Sequence, residues 1–435
     1  VARGPLGPVD RFLNLFSDVH AGEGTTALLM MLNLFLLLVG YYVLKTVREP
    51  LILSEGGAEL ASYASAGQAV ALMGFIPLYS WFSSRVDRLK LVVGFILFFA
   101  VCIEAFYLGA VARVPYLGVA FYVWIGIFNM AIISQFWSYA NDIYRREAGE
   151  RLFPIIAIGA TAGSPVGALV AGRLFDVGVK AYQMFHITAA ILIVHLLLYW
   201  IVDRRQAAAR GAAAPAAPPL PGPGGFSLIL RSPYLRAFAA MMILLNAVNN
   251  TGEYIIRRSI SAAADVAAAG GADREAFLGS FSGSYQFWTA MLAMALQAFV
   301  VSRLVKYLGV KGAVLALPLV ALGAYSLIGA GVGFAIVRWA KTAENATDYS
   351  VMNTGKQLLW LPTRREEKYK AKQANDTFFV RMGDLLSAAL VLVGTTWFAL
   401  GIRGFALTNI ALIGLWLAVA VVLLRRHREL TVVHE

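Results

Sequence analysis

Long apolar runs alternate with short polar connections over almost the whole chain. Runs of roughly 20 mostly apolar residues read as membrane-spanning helices, because that length at 1.5 Å per residue covers a hydrocarbon core of about 30 Å. They fall at 25–45, 61–82, 89–110, 116–137, 152–172, 182–202, 234–256, 278–302, 313–327, 332–351, 375–400 and 405–424, which predicts twelve spans. The ninth and tenth run almost together, with only Gly329, Gly331 and Gly333 to part them. After the sixth, residues 206–225 are rich in Ala, Pro and Gly, a composition that buries no core and reads as a linker. The expected organisation is an N-terminal cytoplasmic segment (1–24), a six-helix bundle (25–203), a cytoplasmic linker (204–232), a second six-helix bundle (233–424) and a basic cytoplasmic tail (425–435).

Composition agrees with an all-α membrane protein: 59% of the 435 residues are hydrophobic and 14% charged, where soluble domains carry about 25% charge. A net charge of +12 admits a nucleic-acid partner, but the placement of the cations argues against one. Lys and Arg gather in alternate connections: Arg85, Arg88 and Lys90; Arg145, Arg146 and Arg151; Arg204, Arg205 and Arg210; Arg303, Lys306 and Lys311; then Lys356 to Lys372, with Arg425, Arg426 and Arg428 in the tail. The positive-inside rule then puts these connections and both termini in the cytoplasm, and a bacterial inner (plasma) membrane is the expected location. The single cysteine, Cys102, lies in an apolar run and reads as packing. No Walker-type loop, metal-ligand cluster or nucleophile elbow occurs in the sequence, so no enzyme activity and no metal or other cofactor is expected.

The two halves repeat each other. Gly40-Tyr-Tyr-Val-Leu-Lys45-Thr46 corresponds to Gly252-Glu253-Tyr-Ile-Ile-Arg257-Arg258-Ser259 at an offset of 212 residues, and Ser138-Tyr-Ala-Asn141 returns as Ser350-Val-Met-Asn353 at the same offset. Two pseudo-symmetric six-helix bundles resemble the architecture of the major facilitator superfamily. Two details are similar to it as well. The connection Arg85-Val-Asp87-Arg88-Leu-Lys90 resembles its cytoplasmic gating loop, and Gly159-x-x-x-Gly163-Ser-Pro165-x-Gly167 resembles its fifth-helix pattern, where glycines four apart allow close helix contact.

Charges inside the spans are the candidate chemistry, because an ionised side chain at mid-bilayer costs about 2.5–3.5 kcal/mol on insertion scales. Lys45 and Arg48 share a helix face near the end of the first span, where they either line a polar path or snorkel to the headgroups. Glu253 is too short to snorkel, follows the polar run Asn246, Asn249, Asn250 and Thr251, and precedes Arg257 by one turn, so that face reads as the lining of a wet cavity. Arg338, Lys341 and Glu344 recur every three residues in the tenth span, as an internal ion-pair network or as part of a binding or coupling site. Glu104 stands alone in the third span, either as a coupling carboxylate or as a member of an ion pair. His186 and His195 read as structural.

Four motifs carry a more specific likeness. Leu44-Lys45-Thr-Val-Arg48-Glu49-Pro-Leu-Ile, the run from Phe136-Trp-Ser-Tyr-Ala140-Asn141-Asp through Arg151-Leu-Phe-Pro154, Asn249-x-x-x-Glu253 with Arg257, and Tyr349-Ser350 through Lys356-Gln357 to Lys370-x-Lys372 together resemble the ATP/ADP translocase family of plastids and intracellular bacteria. That resemblance implies antiport of ATP- and ADP-like nucleotides, ATP binding among them, by alternating access of the two bundles. Carried over by position, the family's substrate-linked charges fall on Arg48, Glu253, Arg257 and Lys356, to which Lys45, Asn249 and Asn141 are added as candidate binding residues. Polyphosphates need several cations to replace lost hydration, which agrees with the motif. The chain departs from the pattern where Asn353-Thr354 stands for Asp-Pro, where Gln357 stands for an acid, and where Ile125 takes the place of a carboxylate in the fourth span. The partners implied are an anionic small molecule and the lipid bilayer, and a monomer suffices. Two other readings stay open: transport of another amphipathic organic ion or lipid, and a non-transporting membrane subunit or sensor on a carrier fold.

Overall fold

A computed structural model describes residues 7–14, 18–83, 85–86, 88–144, 146–207, 224–364 and 366–434. Most of the predicted linker (208–223), and with it Arg210, lies outside the described residues, as do Arg145 and Asp87; the side chains of Arg88 and Arg146 are not described either.

Every regular element among the described residues is helical. In order they are α1 (Pro8–Leu13), α2 (Glu23–Ser83), α3 (Arg88–Val111), α4 (Leu117–Ile143), α5 (Arg146–Asp176), α6 (Met184–Ala207), α7 (Gly225–Arg231), α8 (Pro233–Ala269), α9 (Arg274–Leu296), α10 (Ser302–Ala330), α11 (Phe334–Thr347), α12 (Asn353–Leu359), α13 (Lys372–Ala374), α14 (Val380–Thr396) and α15 (Ile402–His434). Wider π-helical turns bridge several neighbours, at Gln297–Val301, Asp348–Met352, Glu367–Ala371 and Asn375–Phe379. Among the described residues, 8 helices are long and apolar enough to cross a membrane, or 9 when the bent pair α7 and α8 counts as one. This is a multi-pass membrane protein.

Two of those helical stretches are 57 residues long, which at 1.5 Å per residue is far more than one bilayer needs. Glycine breaks both. In α2 the helix loses its dihedrals at Gly56 and Gly57, and Gly57 takes φ 68°, a region a side chain would strain. In the second, Gly309 does the same with φ 62° inside α10. The weak boundary read from Gly329, Gly331 and Gly333 is a real helix end: α10 stops at Ala330, Gly331 turns left-handed with φ 87°, and Gly333 caps α11.

The chain divides into two compact units, each of which takes a short segment from the other half of the sequence. The first holds Val1–Leu51, Phe75–Ala217 and Glu275–Phe287; the second holds Ile52–Gly74, Pro218–Arg274 and Trp288–Glu435.

In the first unit the glycine ladder seats α5 on the backbone of α2. A Cβ added at Gly159, Gly163 or Gly167 would stand 2.2, 2.5 and 2.5 Å from the carbonyl oxygens of Met31, Phe35 and Val39. Close backbone approach is the reason small residues recur there. The same unit builds its core from Phe99, Phe121, Phe128 and the half-buried Trp124, with Trp124 and Phe128 stacked at 5.3 Å. At its N-terminus, the buried Asp10 carboxylate accepts the backbone N–H groups of Gly7 (3.1 Å), Gly22 (3.0 Å) and Gly24 (2.9 Å), and Arg151 of α5 pairs with Glu23 at 3.0 Å. These bonds tie the segment before α2 to the start of α5.

In the second unit α8 packs on α11, α14 and α15, and α10 packs on α11 and α15. Trp416, Tyr254, Tyr325 and Phe238 are its largest fully buried side chains.

Candidate functional site

Polar residues on α8, α11 and the π turn after it converge inside the second unit. On α8, Asn249 and Glu253 are one turn apart; Lys341, Glu344 and Asn345 on α11 and Asp348 at the start of the π turn follow the i, i+3, i+4, i+7 spacing of one face. Lys341 is at the centre, its side chain 2% exposed. Its ammonium donates to the Asn249 backbone oxygen at 3.1 Å, to Asn249 Oδ1 at 2.8 Å and to Glu344 Oε2 at 3.1 Å. Glu253 stands 3.7 Å away as a second carboxylate, and is 22% exposed.

The carboxylates are held in turn. Tyr325 donates to Glu344 at 2.7 Å, and Asn345 Nδ2 donates to Glu253 at 2.8 Å. Asn249 Nδ2 reaches Asp348 at 3.3 Å, and Asp348 lies 3.6 Å from Lys356. A buried ammonium with this many acceptors is well compensated, as a charge away from water has to be. A satellite pair lies beside it, where Asp384 accepts from Arg381 at 2.8 Å and from Asn250 at 2.6 Å.

Of the residues read from sequence, Asn249, Glu253, Lys341, Glu344 and Lys356 meet in this network. Arg257 lies one turn beyond Glu253 on α8 and is buried. The Arg338 guanidinium lies 5.5 Å from the ring of the exposed Trp339. Arg258 belongs to a different group, donating to Tyr254 OH at 2.8 Å and the Leu400 carbonyl at 3.0 Å while Tyr254 donates to Glu59 at 2.7 Å.

The candidates of the first unit are described separately. Arg48 pairs with Glu49 and lies over the Tyr122 ring at 4.3 Å, and Lys45 lies over the Tyr42 ring at 4.9 Å. Asn141 is exposed in the last turn of α4. Glu104 pairs with His186 at 2.9 Å between α3 and α6, with both side chains nearly half exposed, and takes no part in the Lys341 network. His186, read as structural, therefore has a charged partner. In the gating-loop candidate, Arg85 donates to the Trp81 carbonyl at 3.1 Å and covers its ring at 4.2 Å.

Sequence reasoning missed Asn345, Asp348, Tyr325 and Asp384. The i+4 and i+7 spacing from Lys341 pointed to Asn345 and Asp348. Nothing in the sequence linked Tyr325 or Asp384 to the site, because they arrive from other helices. Asp348 also changes one departure noted above: Lys356 has a carboxylate neighbour, supplied from eight residues upstream.

The chain aligns with ADP,ATP carrier protein 1 of Chlamydia muridarum at 22% identity, covering 88% of this chain and 83% of the relative. ADP,ATP carrier protein 1 of Chlamydia trachomatis gives 22% over 88% of this chain and 84% of its own length. This chain is a distant homologue of the ADP,ATP carrier proteins. No protein-family model matches it. Among solved structures, the nucleoside transporter NupG superposes with a TM-score of 0.65 at 13% identity, over 92% of this chain and 98% of that one. A POT family transporter in complex with 5-aminolevulinic acid gives 0.63 at 14%, over 93% and 96%. A bacterial homologue of the iron transporter ferroportin gives 0.64 at 13%, over 92% and 98%. At these identities the likeness shows the fold alone, which this chain shares with those transporters. The homologues are named as carriers and the solved structures that share the fold as transporters.

Proposed function

We propose that this transporter exchanges nucleotides, or a closely related phosphorylated anion, across a bacterial inner membrane by alternating access of two six-helix bundles. In this reading twelve spans cross the bilayer and both termini are cytoplasmic: the glycine breaks in α2 and α10 divide each long helix into two spans, and α11 with α12 makes another. The observation that carries the proposal is the buried Lys341, shared between a dry carboxylate, Glu344 at 3.1 Å, and a wetter and looser one, Glu253 at 3.7 Å. An anionic oxygen entering beside Lys341 takes the place of Glu253. Arg257 on the same face of α8 and Lys356 extend the positive field, as a polyphosphate needs. On departure the carboxylate returns to the ammonium. An empty site closed by its own ion pairs holds no excess charge, which suits an exchanger whose reorientation waits for cargo.

The homologues' names and the retained cations Arg48, Arg257 and Lys356 support the nucleotide assignment. One observation favours the alternative of a non-transporting subunit or sensor: Arg48, Lys341, Lys356 and Arg381 each already face a carboxylate. Liposomes containing the purified protein separate the two. Uptake of labelled ATP that depends on internal ADP is expected, and absence of uptake under any gradient refutes the exchanger. Arg257→Ala is expected to abolish ADP binding while the protein still folds; unchanged affinity removes Arg257 from the site.

A further inference from the structure

A second concentration of cations lies away from the Lys341 network, in a cavity of about 490 Å³ between α10 and α15. It is lined by Lys311, Leu315, Val421, Leu424, Arg425, Arg428 and Glu429. Lys311 follows the break at Gly309, and Leu315 is one turn further along α10. On α15, Val421, Leu424, Arg425 and Arg428 take the i, i+3, i+4, i+7 positions of one face. The cavity is therefore graded: apolar where both helices are deeper in their apolar stretches, cationic where those stretches end. Glu429 is bound by Arg426 at 3.0 Å, and among the described residues no ion pair joins Lys311, Arg425 or Arg428 to a carboxylate.

We propose that this cavity binds the phosphate headgroup of an anionic phospholipid from the leaflet that faces the Lys- and Arg-rich ends. The order of its walls repeats the order of such a lipid, acyl chain against Leu315, Val421 and Leu424, phosphate against Lys311, Arg425 and Arg428. A soluble phosphate has no use for the apolar part. Exposed Leu319, one turn beyond Leu315 on α10, and Val421 on α15 continue the apolar surface, where acyl chains would run. Basic pockets between membrane helices are a recurrent site for anionic headgroups, and two arginines provide forked donors to phosphate oxygens.

The test uses the full-length protein in neutral detergent, with phosphatidylglycerol and phosphatidylcholine as probes, retention read by native mass spectrometry and thermal midpoint by intrinsic fluorescence. Phosphatidylglycerol is expected to be retained and to raise the midpoint, with phosphatidylcholine doing neither. Arg425→Gln with Arg428→Gln should weaken phosphatidylglycerol binding by ~10-fold or more, as loss of charge-assisted contacts implies. Lys311→Gln should weaken it on its own, which keeps the test open if the double variant fails to fold. Arg204→Gln with Arg205→Gln removes the same charge from the end of α6 and should leave binding intact. Equal retention of the two lipids overturns the proposal, as does an equal loss in the α6 variant. Protection by inorganic phosphate or glycerol phosphate as strong as that by phosphatidylglycerol overturns it in favour of a soluble anion site.

Discussion

Replacing Lys341 by Met removes the charge at the centre of the site and leaves its partners. At 3.1 Å and an effective dielectric constant of about 20, the attraction to Glu344 is about 5 kcal/mol, and at 3.7 Å that to Glu253 is about 4 kcal/mol, before desolvation is counted. Desolvating two nearly dry ions cancels much of this, so the intact network adds little net stability. Removing one partner is a different matter. Glu344, 3% exposed, would keep Tyr325 as its remaining donor among the described residues, and an orphaned buried charge costs about 3–5 kcal/mol. Lys341→Met should therefore destabilise by that amount, whereas Lys341→Met with Glu344→Leu should recover about half, because both charges leave together. A double-mutant cycle on unfolding midpoints in detergent measures the coupling, expected at about 2 kcal/mol. Coupling below about 0.5 kcal/mol would refute the account of Lys341 as the shared partner of a buried carboxylate. ADP binding measured on the same samples should be lost in both variants.

Three further outcomes follow from the geometry. Gly163→Ala places a Cβ 2.5 Å from the Phe35 carbonyl and should cost about 1–3 kcal/mol, while Gly414→Ala, with nothing within 4 Å, should be nearly silent; equal thermal shifts would remove the helix-contact explanation. The Gly22 N–H beside Asp10, with those of Gly24 and Gly7, holds its carboxyl below the usual range despite the opposing effect of burial, so the N-terminal clasp keeps its full strength above the ordinary carboxylate pKa and loses it as pH falls through the depressed value. Hydrogen exchange over residues 18–24 should rise below about pH 4 in the native protein but show no such step in Asp10→Asn, and identical pH curves would exclude Asp10. Glu253→Gln should leave the fold intact, since Asn345 can still donate to the amide oxygen, but should relax the strict need for internal ADP in uptake; unchanged exchange stoichiometry would show that Glu253 does not close the empty site.

The candidate site is partly legible in the sequence. Glu253 and Lys341 stood out because ions in apolar runs are expensive, and Asn249 because it shares a helix face with Glu253. Arg338 stood out on the same ground, and its guanidinium lies by the Trp339 ring. Glu104 looked solitary because its partner, His186, is 82 residues away in sequence. Tyr325 and Asp384 gave no signal, since a tyrosine or aspartate in a helix shows its neighbours only after the helices pack.

Helical class and membrane location are written in the chain itself, because a run of about 20 apolar residues has one way to satisfy its backbone in lipid. The glycine ladder on α5 was equally visible, and its use is local: three missing Cβ atoms allow one helix to lie on another. Packing decided what local pattern does not encode. It grouped 275–287 with the first unit and 52–74 with the second, brought Tyr325 of α10 to the carboxylate of α11, and set Lys311 beside Arg425 and Arg428. Those pairings join residues up to a hundred or more positions apart, and the energy that selects them comes from close contact and from charges that find partners away from water. Spacing along one helix names a face; the neighbouring helix determines what that face meets.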